Sequence, residues 1–138
     1  MHIFVCLDDR NGMSFGGRRQ SMDRAVRKDI LELAAGKPLR MSAYSAGQFE
    51  TGEIMADDLF LHHAKAGDLC FLENLDITPY WERIDCITVY RWNRLYPADL
   101  YFLKPAGWKC VEQTTFSGHS HETITRETYI LWDEPKEN

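Results

Sequence analysis

The chain has 138 residues, 44% of them hydrophobic, and a formal net charge of −5. That length suits one ordinary domain with a core of its own, and the acidic balance excludes a general nucleic-acid-binding surface. No apolar run reaches the ~18 residues of a membrane span, and the start MHIFVCLDDR lacks the basic, apolar and small-residue pattern of a secretion signal. A soluble, cytoplasmic protein with neither nucleic-acid nor membrane partners is therefore expected.

Residues 2–7 form an apolar run of strand formers, ended by the turn chemistry of Asp8, Asp9, Asn11 and Gly12. The following NGMSFGGRRQS is too long for a hairpin turn and too rich in glycine for a helix, and reads as a loop, either a mobile functional one or a plain surface connection. Ser21 and Asp23 sit where a helix cap and first-turn acid belong. Met22, Val26, Ile30, Leu33 and Ala34 then recur at helical spacing; Gly36 ends the helix, and Pro38 forbids its continuation. Residues 39–43 read as a strand and 44–52 as a polar segment opening with a helical turn. Residues 55–66 read as a helix with Asp57 and Asp58 near its start and Gly67 past its end. Residues 69–72 form a buried strand closing on Glu73 and Asn74. Thr78 and Pro79 cap a short helix through Arg83, and strand character returns over 84–92.

After an irregular stretch, 93–104, two alternating runs at 108–116 and 123–132 flank SGHSHE and predict an antiparallel hairpin at the sheet's edge. The tail, 133–138, is polar and expected to fray. Residues 1–132 thus read as a single α/β domain with a mixed, mostly parallel sheet, flanking helices and a C-terminal antiparallel hairpin. Cys6, Cys70, Cys86 and Cys110 lie far apart, each in an apolar run, and read as reduced core residues. The acidic total hides a local basic run, Arg18, Arg19, Arg24, Arg27 and Lys28, of a kind that holds an anion or lines a solvated helix face.

Several strings, in order, resemble dihydrofolate reductase. FVCLDDRNGMSFGGR is similar to that family's first strand and the loop over its active site. GKPLRMSAYSAGQF, residues 36–49, resembles the stretch leading from its first helix into the cofactor-binding turn. IDCITVYRW is similar to a later strand, and YPADLYF with GWKCVEQ to its phenylalanine-proline segment and the tryptophan opening its last hairpin. The resemblance implies the family's α/β fold. The departures fall on its chemistry. The family's helical carboxylate would fall near Val26, with Asp23 and Asp29 about a turn away. Ser42, Ala43, Tyr44 and Ser45 replace the phosphate-holding Gly-Arg-x-Thr, and Arg18-Arg19-Gln20-Ser21 replaces Leu-Pro-Trp. Glu73 and Asn74 replace the Gly-Gly that lets backbone approach a dinucleotide. Tyr90 stands for the pocket threonine, and one strand-helix unit looks trimmed between Ser45 and Leu69.

One candidate ligand site joins Asn11, Met13, Arg18, Arg19 and Gln20 to Tyr44 and Ser45, to Glu73 and Asn74, and to Tyr90, Trp92 and Asn93, at the carboxyl ends of strands where ligands of open α/β sheets settle. Arginines beside aromatics suit a flat anionic ligand such as a nucleotide or pterin. Replacing Arg18 and Arg19 is expected to abolish binding with little loss of stability. A second candidate is the metal set His119, His121 and Glu122, with His62 or His63 as additions, which resembles in part the His-x-His of metallo-β-lactamase-type hydrolases. A third is an interaction surface in residues 90–108, dense in Tyr, Trp, Arg and Leu, through which the chain would pair as a homodimer. The leading reading is a non-catalytic binder of a small anionic ligand, a nucleotide or pterin, on this fold, with the cofactor unidentified. The alternatives are an NADPH-dependent reductase of altered substrate, a homodimeric module and a metal-binding hydrolase.

Overall fold

The computed structural model describes residues 1–132; the tail expected to fray lies outside them. His2–Leu7 forms β1 at the middle of a seven-stranded sheet of order β5-β4-β6-β1-β7-β10-β9. Its neighbours β6 (Leu69–Leu72) and β7 (Cys86–Arg91) run parallel to it, Ile3 lying between Cys70 and Ile87. Successive side chains of a strand point to opposite faces. Ile3, Val5 and Leu7 therefore enter one core with Phe60, Ile87, Val89 and Phe102, while Phe4 enters a second with Val26, Ile30, Met41, Phe71 and Tyr90. Burial on both faces is why these strands read as continuous apolar runs. β4 (Leu39–Met41) and β5 (Ile54–Ala56) extend the parallel side. β9 (Trp108–Ser117) and β10 (Thr123–Leu131) form the expected hairpin, with β10 antiparallel to β7 and β9 at the edge.

Between β1 and β4 runs α1 (Arg24–Ala34). Asp23, expected as the first-turn acid behind a Ser21 cap, is itself the N-cap, accepting the Ala25 N–H at 2.8 Å, because the helix begins only at Arg24. At the other end Ala35 and Gly36 are both left-handed, with φ of 51° and 82°, so the stop begins one residue before the glycine. The buried stripe is Val26, Ile30 and Ala34, whereas Met22 and Leu33 are each 45% exposed. Met22 precedes the helix, and Leu33 sits on the shoulder of a stripe narrower than the spacing suggested.

Two other segments depart from expectation. The stretch after Asn11 is a second small sheet: β2 (Gly12–Phe15) and β3 (Arg18–Arg19) form a hairpin turned by Gly16 and Gly17 at φ of 59° and 75°, with β8 (Leu100–Tyr101) on its other side. Positive φ at both turn residues is what a tight hairpin needs. The 55–66 helix is instead the end of β5 and a four-residue α3 (Phe60–His63), because Asp57 turns the chain by accepting the Leu59 N–H and His63 Nδ1. Between Ser45 and Leu69 the chain thus holds the strand β5 and the short helix α3. A 3₁₀ turn, Thr78–Arg83, starts at the expected proline. α2 (Ala43–Ala46) opens on Ser42, which caps the Ser45 N–H. No helix among the described residues is long and apolar enough to cross a membrane.

Candidate functional site

At the carboxyl ends of β1, β4 and β6, most of the residues read as a ligand site do come together, but they bind one another. Arg19 donates through Nε and Nη2 to the two carboxylate oxygens of Glu73, at 2.9 and 3.1 Å. Its guanidinium lies 4.1 Å from the centre of the Tyr44 ring, and its backbone N–H donates to the Tyr44 hydroxyl. Gln48 donates to the same Glu73 carboxylate at 2.8 Å, and Asn74 donates to the Gly17 carbonyl. The β2–β3 hairpin is thus tied across the sheet end. Beneath it, Cys6, Met13, Gln20, Ser21, Leu72 and Trp92 enclose only about 10 Å³ with Arg19 and Glu73, room for about one water.

Asp8 organises the neighbouring turn. Its carboxylate accepts the N–H groups of Gly12 and Arg10 at 2.7 and 2.8 Å and the Gln20 amide at 3.0 Å. Burial opposes its charge, but these donors prevail and hold its pKa below the ordinary carboxylate value. Asn11, at φ 64°, accepts Arg91 Nη1 at 2.5 Å.

Four predicted ligand residues are placed elsewhere. Tyr90 is fully buried, its hydroxyl donating to Asp29 at 2.6 Å. Burial, and then that bond to a carboxylate, raise its pKa well above the phenol range. Arg18 is exposed on the hairpin, Asn93 donates to Thr123 and Thr125, and Ser45 is buried in α2. A site of stacked aromatics gripped by Arg18 and Arg19 is not what the fold builds, because Glu73 neutralises Arg19 and the core takes Tyr90.

The basic run instead divides. Arg24, Arg27 and Lys28 recur at i, i+3 and i+4, which puts them on one side of α1. They line a cleft of about 460 Å³ between α1 and residues 48–51, with Leu31 and Phe49 supplying apolar surface. Glu32 and Glu50 are also at its wall, leaving three cations against two carboxylates. Lys28 approaches Glu32 only at 4.0 Å with both side chains exposed, a pair worth little. Arg24 and Arg27 have no acidic partner among the described residues. The helical spacing was the signal for this cleft; Phe49 and Gln48 carried none.

The histidine set does not assemble. Among the described residues no group of three or more His, Cys, Asp and Glu is placed to hold a metal ion. His121 is buried and bound to Asp23 at 2.9 Å, Glu122 is exposed, and His63 is bound to Asp57. The two carboxylates nearest the family's helical acid are both engaged: Asp23 by the 119–121 turn, and Asp29 by Arg126 at 2.8 and 2.9 Å. In the run read as an interaction surface, Tyr90, Trp92 and Phe102 are buried, which leaves Leu95, Tyr101 and Leu103 as its exposed apolar residues.

No family model matches the chain, and no curated protein matches it. Among solved structures, the chain is similar to dihydrofolate reductase from Enterococcus faecalis complexed with NADP(H) and RAB-propyl, with a TM-score of 0.65, 10% identity, and 96% of each chain covered. At that identity the likeness establishes a dihydrofolate-reductase-like fold.

Proposed function

We propose that this chain uses the dihydrofolate-reductase-like fold to bind a small anionic ligand in the cleft between α1 and residues 48–51. The observation that carries the reading is the cleft itself: about 460 Å³, with Arg24, Arg27 and Lys28 over the apolar flank of Leu31 and Phe49. Its volume is within the range of small-molecule sites. A planar or aliphatic body would lie on Phe49 and Leu31, while a carboxylate or phosphate would accept from the arginine forks. Nucleotides and pterin carboxylates have that chemistry. The sheet end gives less support to a nicotinamide cofactor, because the Arg19–Glu73 pair fills it and a carboxylate there repels a pyrophosphate.

A thermal-shift screen against nucleotides, folates and NADPH tests the reading. A ligand at 100 times its Kd adds about 2.7 kcal/mol, typically several degrees. The shift is expected to disappear in the Arg24→Ala, Arg27→Ala double variant, whose own Tm stays within a degree or two. A shift that survives the double substitution would remove the cleft from the proposal.

A second reading, a homodimer, is favoured by β9. This ten-residue edge strand is exposed along most of its length, with its Val111 53% exposed, and Leu131 and Trp132 at the end of the neighbouring β10 are 52% and 45% exposed. An unprotected strand edge is a template for pairing. Sedimentation at two concentrations decides it.

A further inference from the structure

Apart from the cleft at α1, a second cavity of about 280 Å³ lies where the segments after β5 and β6 meet. These are carboxyl ends of parallel strands, where open α/β sheets take their ligands. Leu59, Leu61 and Leu75 give the cavity apolar walls, and Leu59 is 57% exposed. The Tyr80 ring stands nearly perpendicular to the His62 ring, with centres 5.6 Å apart, and both belong to the wall.

Two carboxylates complete the lining, and each is held by one oxygen. Asp58 Oδ1 accepts the Ala43 N–H at 2.9 Å. Asp76 Oδ1 accepts the Thr78 N–H and hydroxyl at 2.9 and 2.6 Å. The Thr78 hydroxyl, and then its N–H, hold the Asp76 carboxyl below the ordinary carboxylate value, so it keeps its charge at neutral pH. Among the described residues, Oδ2 of each has no hydrogen-bond or ion-pair partner. No lysine or arginine is among the described residues that line the cavity. Arg83 donates instead to the Leu61 and Ala64 carbonyls at the end of α3. The balance of charge is the reverse of that at α1, where three cations face two carboxylates.

We propose that this cavity binds a small protonated arylalkyl amine. Its ammonium donates to the open oxygen of Asp58 or Asp76 and sits in the field of both, while its hydrocarbon lies along Leu59, Leu61 and Leu75. The Tyr80 ring adds attraction for a cation that no neutral or anionic ligand would gain. The same two carboxylates repel a phosphate. None of the α1 cleft residues takes part, so this site stands or falls apart from anion binding there.

The test is an NMR titration of the full 15N-labelled chain with phenethylamine, and with 2-phenylethanol and 3-phenylpropionate as its neutral and anionic isosteres. Saturable shifts confined to residues 58–62 and 75–80 are expected with the amine, at an affinity several times that of the alcohol, and none with the acid. Both carboxylates are exposed, so each alone contributes modestly. The Asp58→Asn, Asp76→Asn double variant, which keeps both turn acceptors, is expected to weaken the amine by about tenfold. Leu59→Lys is the companion variant in case the double variant fails to fold. Its side chain is exposed, and the added cation should weaken the amine severalfold with Tm unchanged. The Arg24→Ala, Arg27→Ala variant should bind the amine as the wild type does. No saturable shift at these residues, equal affinity for the alcohol, or amine binding indifferent to the double variant or to Leu59→Lys overturns the proposal.

Discussion

Arg19 and Glu73 bind each other at two points, 2.9 and 3.1 Å, and this fastens the β2–β3 hairpin to the turn after β6. The carboxylate side chain is only 6% exposed, so removing its partner strands a buried charge. Arg19→Ala is expected to cost about 3 kcal/mol. The Arg19→Ala, Glu73→Ala double variant should cost less than the two single substitutions summed, because neither charge is then left alone. Urea denaturation of all four proteins measures this, and strict additivity would refute the coupling. The expectation that an Arg18, Arg19 double substitution spares stability therefore fails on Arg19, while exposed Arg18 alone should be neutral.

Gly118 permits the approach of the hairpin tip to α1. A Cβ there would fall 2.8 Å from Asp23 Oδ2 and against the His121 carbonyl. Gly118→Ala should destabilise by about 2–4 kcal/mol, since the obstruction is partly backbone. Gly17→Ala is the control: its Cβ meets open space, and only the φ of 75° is penalised, by about 1 kcal/mol. Thermal melts that rank the two the other way would contradict the packing.

His2 donates or accepts at Thr88 Oγ1 over 2.7 Å and stacks on Phe4. Burial, then the nearby N-terminal ammonium, bring its pKa down to about 4 from 6.5. Below pH 6.5 the unfolded chain takes up a proton that the folded chain refuses, so stability falls as pH drops from 6.5 and levels off near 4. His2→Gln should lose this dependence. Denaturation at pH 7 and pH 5 is expected to show a drop of about 1–2 kcal/mol in the wild type beyond that of the variant.

Tyr90 should stay protonated in alkali until the fold gives way. Its phenol is buried and donates to Asp29, and its pKa is raised on both counts. Unfolded, it would ionise near pH 10, so its contribution to stability is lost as pH rises beyond that value. Ultraviolet titration of native wild type and Tyr90→Phe should coincide up to the unfolding pH. An extra phenol titrating near 10 in the wild type would place Tyr90 outside the core.

The sequence by itself determined the backbone plan. β1, β6, the body of α1 and its stop near Gly36, the 3₁₀ turn at Pro79 and the final hairpin follow from local propensity and periodicity, which act over a few residues. Helical spacing also puts Arg24, Arg27 and Lys28 on one side of α1, but that residues 48–51 wall a cleft over them was decided by the tertiary structure. Pairing across the chain was decided only by the tertiary structure. Nothing near Arg19 announces that Glu73, fifty-four positions on, will neutralise it. Nothing in SGHSHE shows that His121 will turn inward to Asp23 and Ser21 instead of outward to a metal. A charge's partner is set by which strand ends the sheet order brings together, and residue type alone does not encode that order. The hairpin at Gly16 and Gly17 was missed for the same reason: its strands are short, and they hold because β8, more than eighty residues away, pairs with β2.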